Sequence, residues 1–210
     1  KYKDYYIFSS QLEGILFYKN ISRKLSKDNL MKYFAYSHVP LSGTIFEDIY
    51  QLKPGENIII NANNLKINRT IYWNLESGAD YNLFFKKTKK ENFNNDFKNV
   101  IEKHSIADKS PALSLSSGID SYLIMKKYSE IKKKLASFTL GFDNKTYDEA
   151  KYVKEIDENI KKEIFYTNDK ELKEDFLKLT KLISDPIGDS SLLPTFTIHK
   201  KIKDHSNVAI

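Results

Sequence analysis

The segment Ala112-Leu113-Ser114-Leu115 reads as a short buried strand that runs into Ser116-Ser117-Gly118 and then, with no spacer, into a helical stretch from Ser121 to about Tyr128. The alternation continues along the chain. A helix is predicted over Asn92–His104 and strands over Ala136–Leu140 and Glu163–Tyr166; a helix over Asp148–Ile160 gathers Tyr152, Val153, Ile156 and Ile160 on one face. Leu172, Phe176, Leu179 and Ile183 mark another amphipathic helix, Leu193–Lys203 a last one, and Asn207-Val208-Ala209-Ile210 a further strand. Strands alternating with helices imply right-handed crossovers and a mostly parallel sheet covered on both faces, with ligands gathering at the carboxyl ends of the strands.

Residues before about Leu75 have a different texture. Tyr5-Tyr6-Ile7-Phe8 reads as a short apolar strand, and Ser26 as the N-cap of a helix reaching Tyr36 with Leu30, Tyr33 and Phe34 on its apolar face. Lys53-Pro54-Gly55-Glu56 has Pro and Gly at the centre of a type II turn, and Ile58-Ile59-Ile60 and Leu65–Tyr72 flank Asn63-Asn64 as a hairpin. From Glu76 to Lys90 the chain turns polar and lysine-rich, the composition of a linker.

The chain has no Cys, which removes disulfides, thiolate metal sites and thiol nucleophiles from these residues. The net charge of +6 is almost wholly lysine, because Arg23 and Arg69 are the only arginines. Bidentate phosphate and base recognition enlists arginine, so Lys86-Lys87, Lys89-Lys90 and Lys132-Lys133-Lys134 are read as solvated surface, and no nucleic-acid partner is expected. No apolar run approaches the roughly 20 residues that span a bilayer, and Lys1-Tyr2-Lys3-Asp4 lacks the apolar core of a secretory signal, so a cytoplasmic protein without a membrane partner is expected. His38, His104, His199 and His205 show no metal-ligand spacing.

Chemistry concentrates in the turn after Leu115. Backbone N–H groups and a helix dipole converging at one point hold phosphate. With no Lys inside Ser116–Ser121 and no GKS or GKT the turn is not a Walker loop, nor do its residues match the GxGxxG fingerprint. The plainer alternative is a βα turn in which Asp120 or Ser121 caps the helix.

The residues Ser116-Ser117-Gly118-Ile119-Asp120-Ser121 resemble the S-G-G-x-D-S pyrophosphate loop of the ATP pyrophosphatase superfamily. Ser117 stands where that loop has its first Gly, and Tyr122 replaces a small residue. If the backbone at Ser117 needs a positive φ, Ser costs about 1 kcal/mol that Gly avoids. Ser137–Phe142 followed by Tyr147-Asp148-Glu149-Ala150, and Ser184-Asp185-Pro186-Ile187-Gly188-Asp189 through Pro194, resemble two further segments of the glutamine-dependent asparagine synthetase family. So, for its glutaminase domain, do Phe8–Leu16, Thr44-Ile45-Phe46, Leu52–Glu56 and Ile71-Tyr72-Trp73.

The resemblance implies an α/β organisation. Residues 1–76 would be the C-terminal part of an Ntn-type β-rich glutaminase domain, 77–90 a linker, and 91–210 the N-terminal part of a parallel-sheet, adenine-nucleotide alpha hydrolase-like (PP-loop) synthetase domain, truncated at both ends. It further implies ATP and Mg²⁺ as cofactors, held by Leu115, Ser116, Ser117, Gly118, Asp120, Ser121 and Leu140, with Asp120 the metal ligand and Leu115 and Leu140 meeting adenine through their backbones. Asp185 and Asp189 would support substrate or metal, the plainer reading being a loop that caps a helix from Ser190 or Ser191, which for Asp189 alone stands level with the functional one; for Asp148 and Glu149, favourable charge in a helix's first turn is preferred to direct catalysis. The partners implied are glutamine and a carboxylate acceptor such as aspartate, with a homodimer left open. The glutaminase Cys is expected upstream of Lys1, and a second nucleotide segment, SGDGGDE, and a catalytic Lys beyond Ile210. The activity the resemblance implies is ATP-dependent amidation of a carboxylate through an acyl-adenylate with glutamine-derived ammonia, and two alternatives share the adenylation: amidation of a surface-polysaccharide sugar acid, and closure of a β-lactam or peptide ring. A PP-loop tRNA-modifying enzyme is the reading from another class.

Overall fold

The computed structural model describes residues 5–40, 42–75, 90–131, 135–146, 148–156 and 160–210. The chain forms two compact units, Lys1–Lys87 with Thr180–Asp189, and Thr88–Leu179 with Ser190–Ile210. Residues 180–189, which the sequence pattern joins to the second segment, thus group with the first. The expected linker, apart from Lys90, lies outside the described residues, as do Lys132–Lys134 and Tyr147.

In the first unit, helices α1 (Leu12–Leu16) and α2 (Lys27–Tyr36) precede the hairpin of β1 (Glu56–Ile60) and β2 (Ile67–Ile71). The Ser26 hydroxyl accepts the Asn29 amide, as its place before the apolar stripe predicts, and Ser37, at φ 61°, ends α2 with its N–H on the Tyr33 carbonyl. The turn into β1 is the expected one: the Glu56 amide donates to Lys53 O at 3.0 Å and Gly55 has φ +68°. Tyr5–Phe8 is not a strand. Only Tyr5 holds a bridge position and Phe8 is exposed, because an apolar run becomes a strand only where it finds a ladder partner. Among the described residues of this unit, Leu16, Val39, Ile45 and Ile49 are the buried apolar ones.

In the second unit, α3 (Lys90–His104) leads to β3 (Ala112–Ser114), α4 (Ile119–Ile131), β4 (Ala136–Phe142), α5 (Ala150–Lys154), β5 (Lys161–Thr167), α6 (Asp169–Leu179) and α7 (Leu192–Ile202). β3, β4 and β5 lie in that order and are parallel, with Ser114 opposite Phe138 and Leu140 opposite Phe165. The last residues return to the free side of β3: the Ala112 amide donates to Val208 O and the Ile210 amide to Ala112 O, in a parallel bridge. The chain therefore steps one way from β3 to β5 and the other way from β3 to Ile210, which makes the end of β3 a topological switch point.

Successive strand residues face opposite ways, and two core clusters follow. Leu113 and Leu115 join Ile101, Met125, Tyr128 and Val153 on one face, while Ala112 and Phe138 join Ile198 and Ile202 of α7 on the other. Two helices differ from expectation. α5 spans only Ala150–Lys154, so Asp148 and Glu149 precede its first turn and Tyr152 is exposed, yet Ile156 and Ile160 still reach the first cluster. α6 turns Asp175 and Leu179 inward and leaves Phe176 exposed, because Asp175 is fully buried against Lys200, whose Nζ lies 2.7 Å from both carboxylate oxygens.

Candidate nucleotide site at the end of the parallel sheet

Leu115 is buried at the end of β3, and Ser116, Ser117, Gly118 and Asp120 follow as an exposed turn leading into α4. Two bonds join the base of the turn to β4: the Leu115 amide donates to Phe138 O at 2.8 Å, and the Thr139 hydroxyl donates to Leu115 O at 2.8 Å. Leu140 follows Thr139 on the same strand, so the two residues expected to meet adenine lie on adjacent strands.

Ser121 closes the turn. Its hydroxyl accepts the Ser116 amide at 3.2 Å, lies 3.0 Å from Ser116 Oγ, and has the carbonyl oxygens of Ser116 and Gly118 each at 3.1 Å. Ser116 Oγ in turn accepts the Gly118 amide at 3.2 Å. The serine pair thus holds the loop's own shape, a role beyond the capping that a Ser at a helix start suggests. The first turn of α4 adds N–H groups that have no intrahelical partner and a favourable dipole for an anion.

Neither departure from the glycine-rich pattern distorts the loop. Among the described residues, positive φ is confined to Ser37, Asp48, Leu65 and Gly55, so Ser117 keeps an ordinary backbone. Tyr122 is partly buried and packs against the first core cluster.

Two acidic residues shape the neighbouring loop. Asp148 Oδ1 accepts the amides of Phe142 and Ala150, closing the connection from β4 to α5. Glu149 is exposed and reaches the turn itself, with Oε2 3.0 Å from the Ser117 amide. That contact, and the anchoring by Thr139, are the two features sequence reasoning missed. Glu149 reads from sequence as helix-dipole charge and Thr139 only as one residue of the strand Ala136–Leu140, and only the fold brings either to the loop.

Asp185 and Asp189 belong to the other compact unit. Asp185 accepts the Ile45 amide at 2.9 Å, and burial pushes its carboxyl above the usual range, against that bond, with nearby Glu13 acting the same way as burial. Glu13 accepts the Ser184 amide at 2.8 Å, so the two carboxylates tie the 180–189 segment to the first unit. Asp189 is exposed. Among the described residues no group of three or more His, Asp or Glu is arranged to hold a metal ion, and no helix is long and apolar enough to cross a membrane.

The family model for asparagine synthase matches residues 92–210, and that for the glutamine amidotransferase domain matches residues 1–73. A Methanocaldococcus jannaschii protein bearing the name of a glutamine-hydrolyzing asparagine synthetase is 28% identical over 213 residues, covering 98% of this chain and 40% of its own length. Asparagine synthetase (glutamine-hydrolyzing) 1 of Bacillus subtilis is 23% identical over 222 residues, covering 99% of this chain and 32% of its own length. The chain thus spans well under half the length of these relatives, with the exposed serine turn inside the asparagine synthase match, and it belongs to the asparagine synthase family.

Proposed function

We propose that the intact protein amidates a carboxylate through an acyl-adenylate, using ATP and ammonia released from glutamine. An acceptor carboxylate oxygen attacks the α-phosphorus of ATP and the bond to pyrophosphate breaks. Ammonia then attacks the acyl carbon, AMP leaves, and the nitrogen gives up a proton. The observation that carries this reading is the exposed Ser116–Ser121 turn at the switch point of the parallel sheet, in a chain of this family. Main-chain N–H groups and the start of α4 are suited to the charge that gathers on departing pyrophosphate, and such preorganised donors contribute more than an acid–base pair would. The backbones of Leu115 and Leu140 are assigned to adenine.

Magnesium fits this arrangement as a companion of the nucleotide. It keeps several waters and takes one or two carboxylates together with the phosphates, and Asp120 is the exposed carboxylate this turn offers. Bound there, the ion supplies neutralisation of phosphate charge. Residues 1–76 are assigned to an Ntn-type glutaminase domain, and aspartate is the acceptor we favour because both relatives carry the name asparagine synthetase.

Exchange of labelled pyrophosphate into ATP tests the proposal. Intact protein with aspartate and Mg²⁺ is expected to catalyse exchange, and Asp120→Ala to abolish it. Undiminished exchange by the variant would remove the loop from the mechanism, whereas exchange that responds to a sugar acid and not to aspartate would keep the loop and change the acceptor.

A further inference from the structure

The Ser117 amide, which stands where the pyrophosphate loop has its first glycine, already has an anionic partner. Glu149 Oε2 accepts it at 3.0 Å, from a residue 32 positions away in the chain. Both residues are exposed. The other hydrogen bonds of the turn are made among its own serines and Gly118, to β4, and from the Tyr122 amide of α4 to Gly118 O, so among the described residues Glu149 is the carboxylate that engages its backbone. A carboxylate oxygen on a loop amide beside a helix start has the geometry and charge of a phosphate oxygen bound in the same way.

Resting on the reading of this turn as a pyrophosphate site, we propose that Glu149 is a built-in surrogate anion: its carboxylate holds the Ser117 amide in the free protein and is displaced when phosphate oxygens enter. One amide proton cannot serve both anions at full strength, and two negative groups at one donor repel. Binding therefore has to undo the Glu149 contact, which lowers the loop's affinity for pyrophosphate and favours its release after adenylation. An exposed glutamate can swing into water at little cost, so the displacement requires no rearrangement of the core.

The test is calorimetric titration of inorganic pyrophosphate with Mg²⁺ into the intact protein and into Glu149→Gln, Glu149→Ala and Asp143→Asn. Asp143 is an exposed acid in the loop that follows β4 and serves as the charge control. Loss of a charge-assisted hydrogen bond that competes with the ligand corresponds to about tenfold tighter binding by both Glu149 variants, with Asp143→Asn close to wild type. The Ser117 amide proton is expected to move upfield on Glu149→Gln substitution, as the charge-assisted bond is lost, and to return downfield when pyrophosphate is added to that variant. Equal or weaker binding by folded Glu149 variants would make the residue a scaffold of the loop and overturn the inference, leaving the pyrophosphate site itself intact. Equal tightening by Asp143→Asn would reduce the effect to general charge and overturn it as well. Absence of binding by every protein would overturn the site and the inference together.

Discussion

Thr139 donates its hydroxyl at 2.8 Å to the carbonyl of Leu115, and both residues are buried, so a side chain of the central strand grips the last backbone group before the serine turn. Thr139→Val keeps the shape and leaves that carbonyl without its partner, which costs about 1–3 kcal/mol. A lower urea midpoint with unchanged m-value is expected, together with weaker pyrophosphate binding, and Thr139→Ser should restore the binding. Binding unchanged in a destabilised Thr139→Val protein would show that the bond stabilises the sheet without positioning the loop.

The pair of Asp175 and Lys200 predicts a pH-dependent stability. Burial opposes ionisation of Asp175, but hydrogen bonds from Lys200 and Thr197 outweigh it and hold the carboxyl below its ordinary range; Lys201 does the same for Glu171. Carboxylates depressed in this way contribute in full above their ordinary range, and the contribution is lost as pH falls through the depressed range. Burial works against the charge on Lys200, yet Asp175 and Glu171 raise its ammonium above the ordinary range, so its contribution persists through neutral pH and is lost only in strong alkali. Denaturation midpoints measured across pH should therefore fall at both extremes.

Lys200→Met leaves Asp175 buried with only Thr197 at 3.0 Å and Lys178 at 3.9 Å. Breaking a buried pair on one side costs roughly 3–5 kcal/mol. Because an unpaired buried carboxyl is pushed up by desolvation, the deficit should shrink as pH falls. The double variant Asp175→Leu with Lys200→Met is expected to recover most of the loss, and additive losses in that cycle would show the two side chains to be energetically independent.

Tyr128 is buried in the first core cluster, and its hydroxyl is the one buried side-chain polar atom without a hydrogen-bond partner among the described residues. The same burial raises the phenol above its usual range. Tyr128→Phe removes a desolvated group with nothing to replace it, so stability should hold or rise by about 1 kcal/mol in thermal unfolding. A clear loss would mean that the hydroxyl is satisfied in solution.

Gly55 occupies the left-handed region at φ +68°, and a Cβ there would lie 2.0 Å from the carbonyl oxygen of Trp73. Backbone cannot yield as a side-chain tip can. Gly55→Ala should cost more than the 1–2 kcal/mol or so typical of a left-handed residue alone, seen as early melting of the first unit. Gly118→Ala, whose added carbon would meet only Ser116 Oγ at 3.2 Å, should be mild by comparison.

Local chemistry wrote several elements directly into the sequence. Ser26 before a helix, Pro54-Gly55 before Ile58–Ile60, and Leu115 running into Ser116–Gly118 each state their conformation through capping, turn geometry or periodicity, and each forms as read, although Phe34 of the stripe predicted for α2 is exposed. Tyr5–Phe8 and the inward face of α6 were not legible, because a strand exists only with its ladder partner and a buried aspartate only with its counter-ion. The exposed serine turn and the parallel order of its strands were determined by the sequence alone, since both follow from contacts between near neighbours and from the handedness of crossovers. That the end of β3 is a switch point, that Thr139 holds the Leu115 carbonyl and that Glu149 caps the Ser117 amide was decided only by tertiary structure, because each depends on where distant segments return in space.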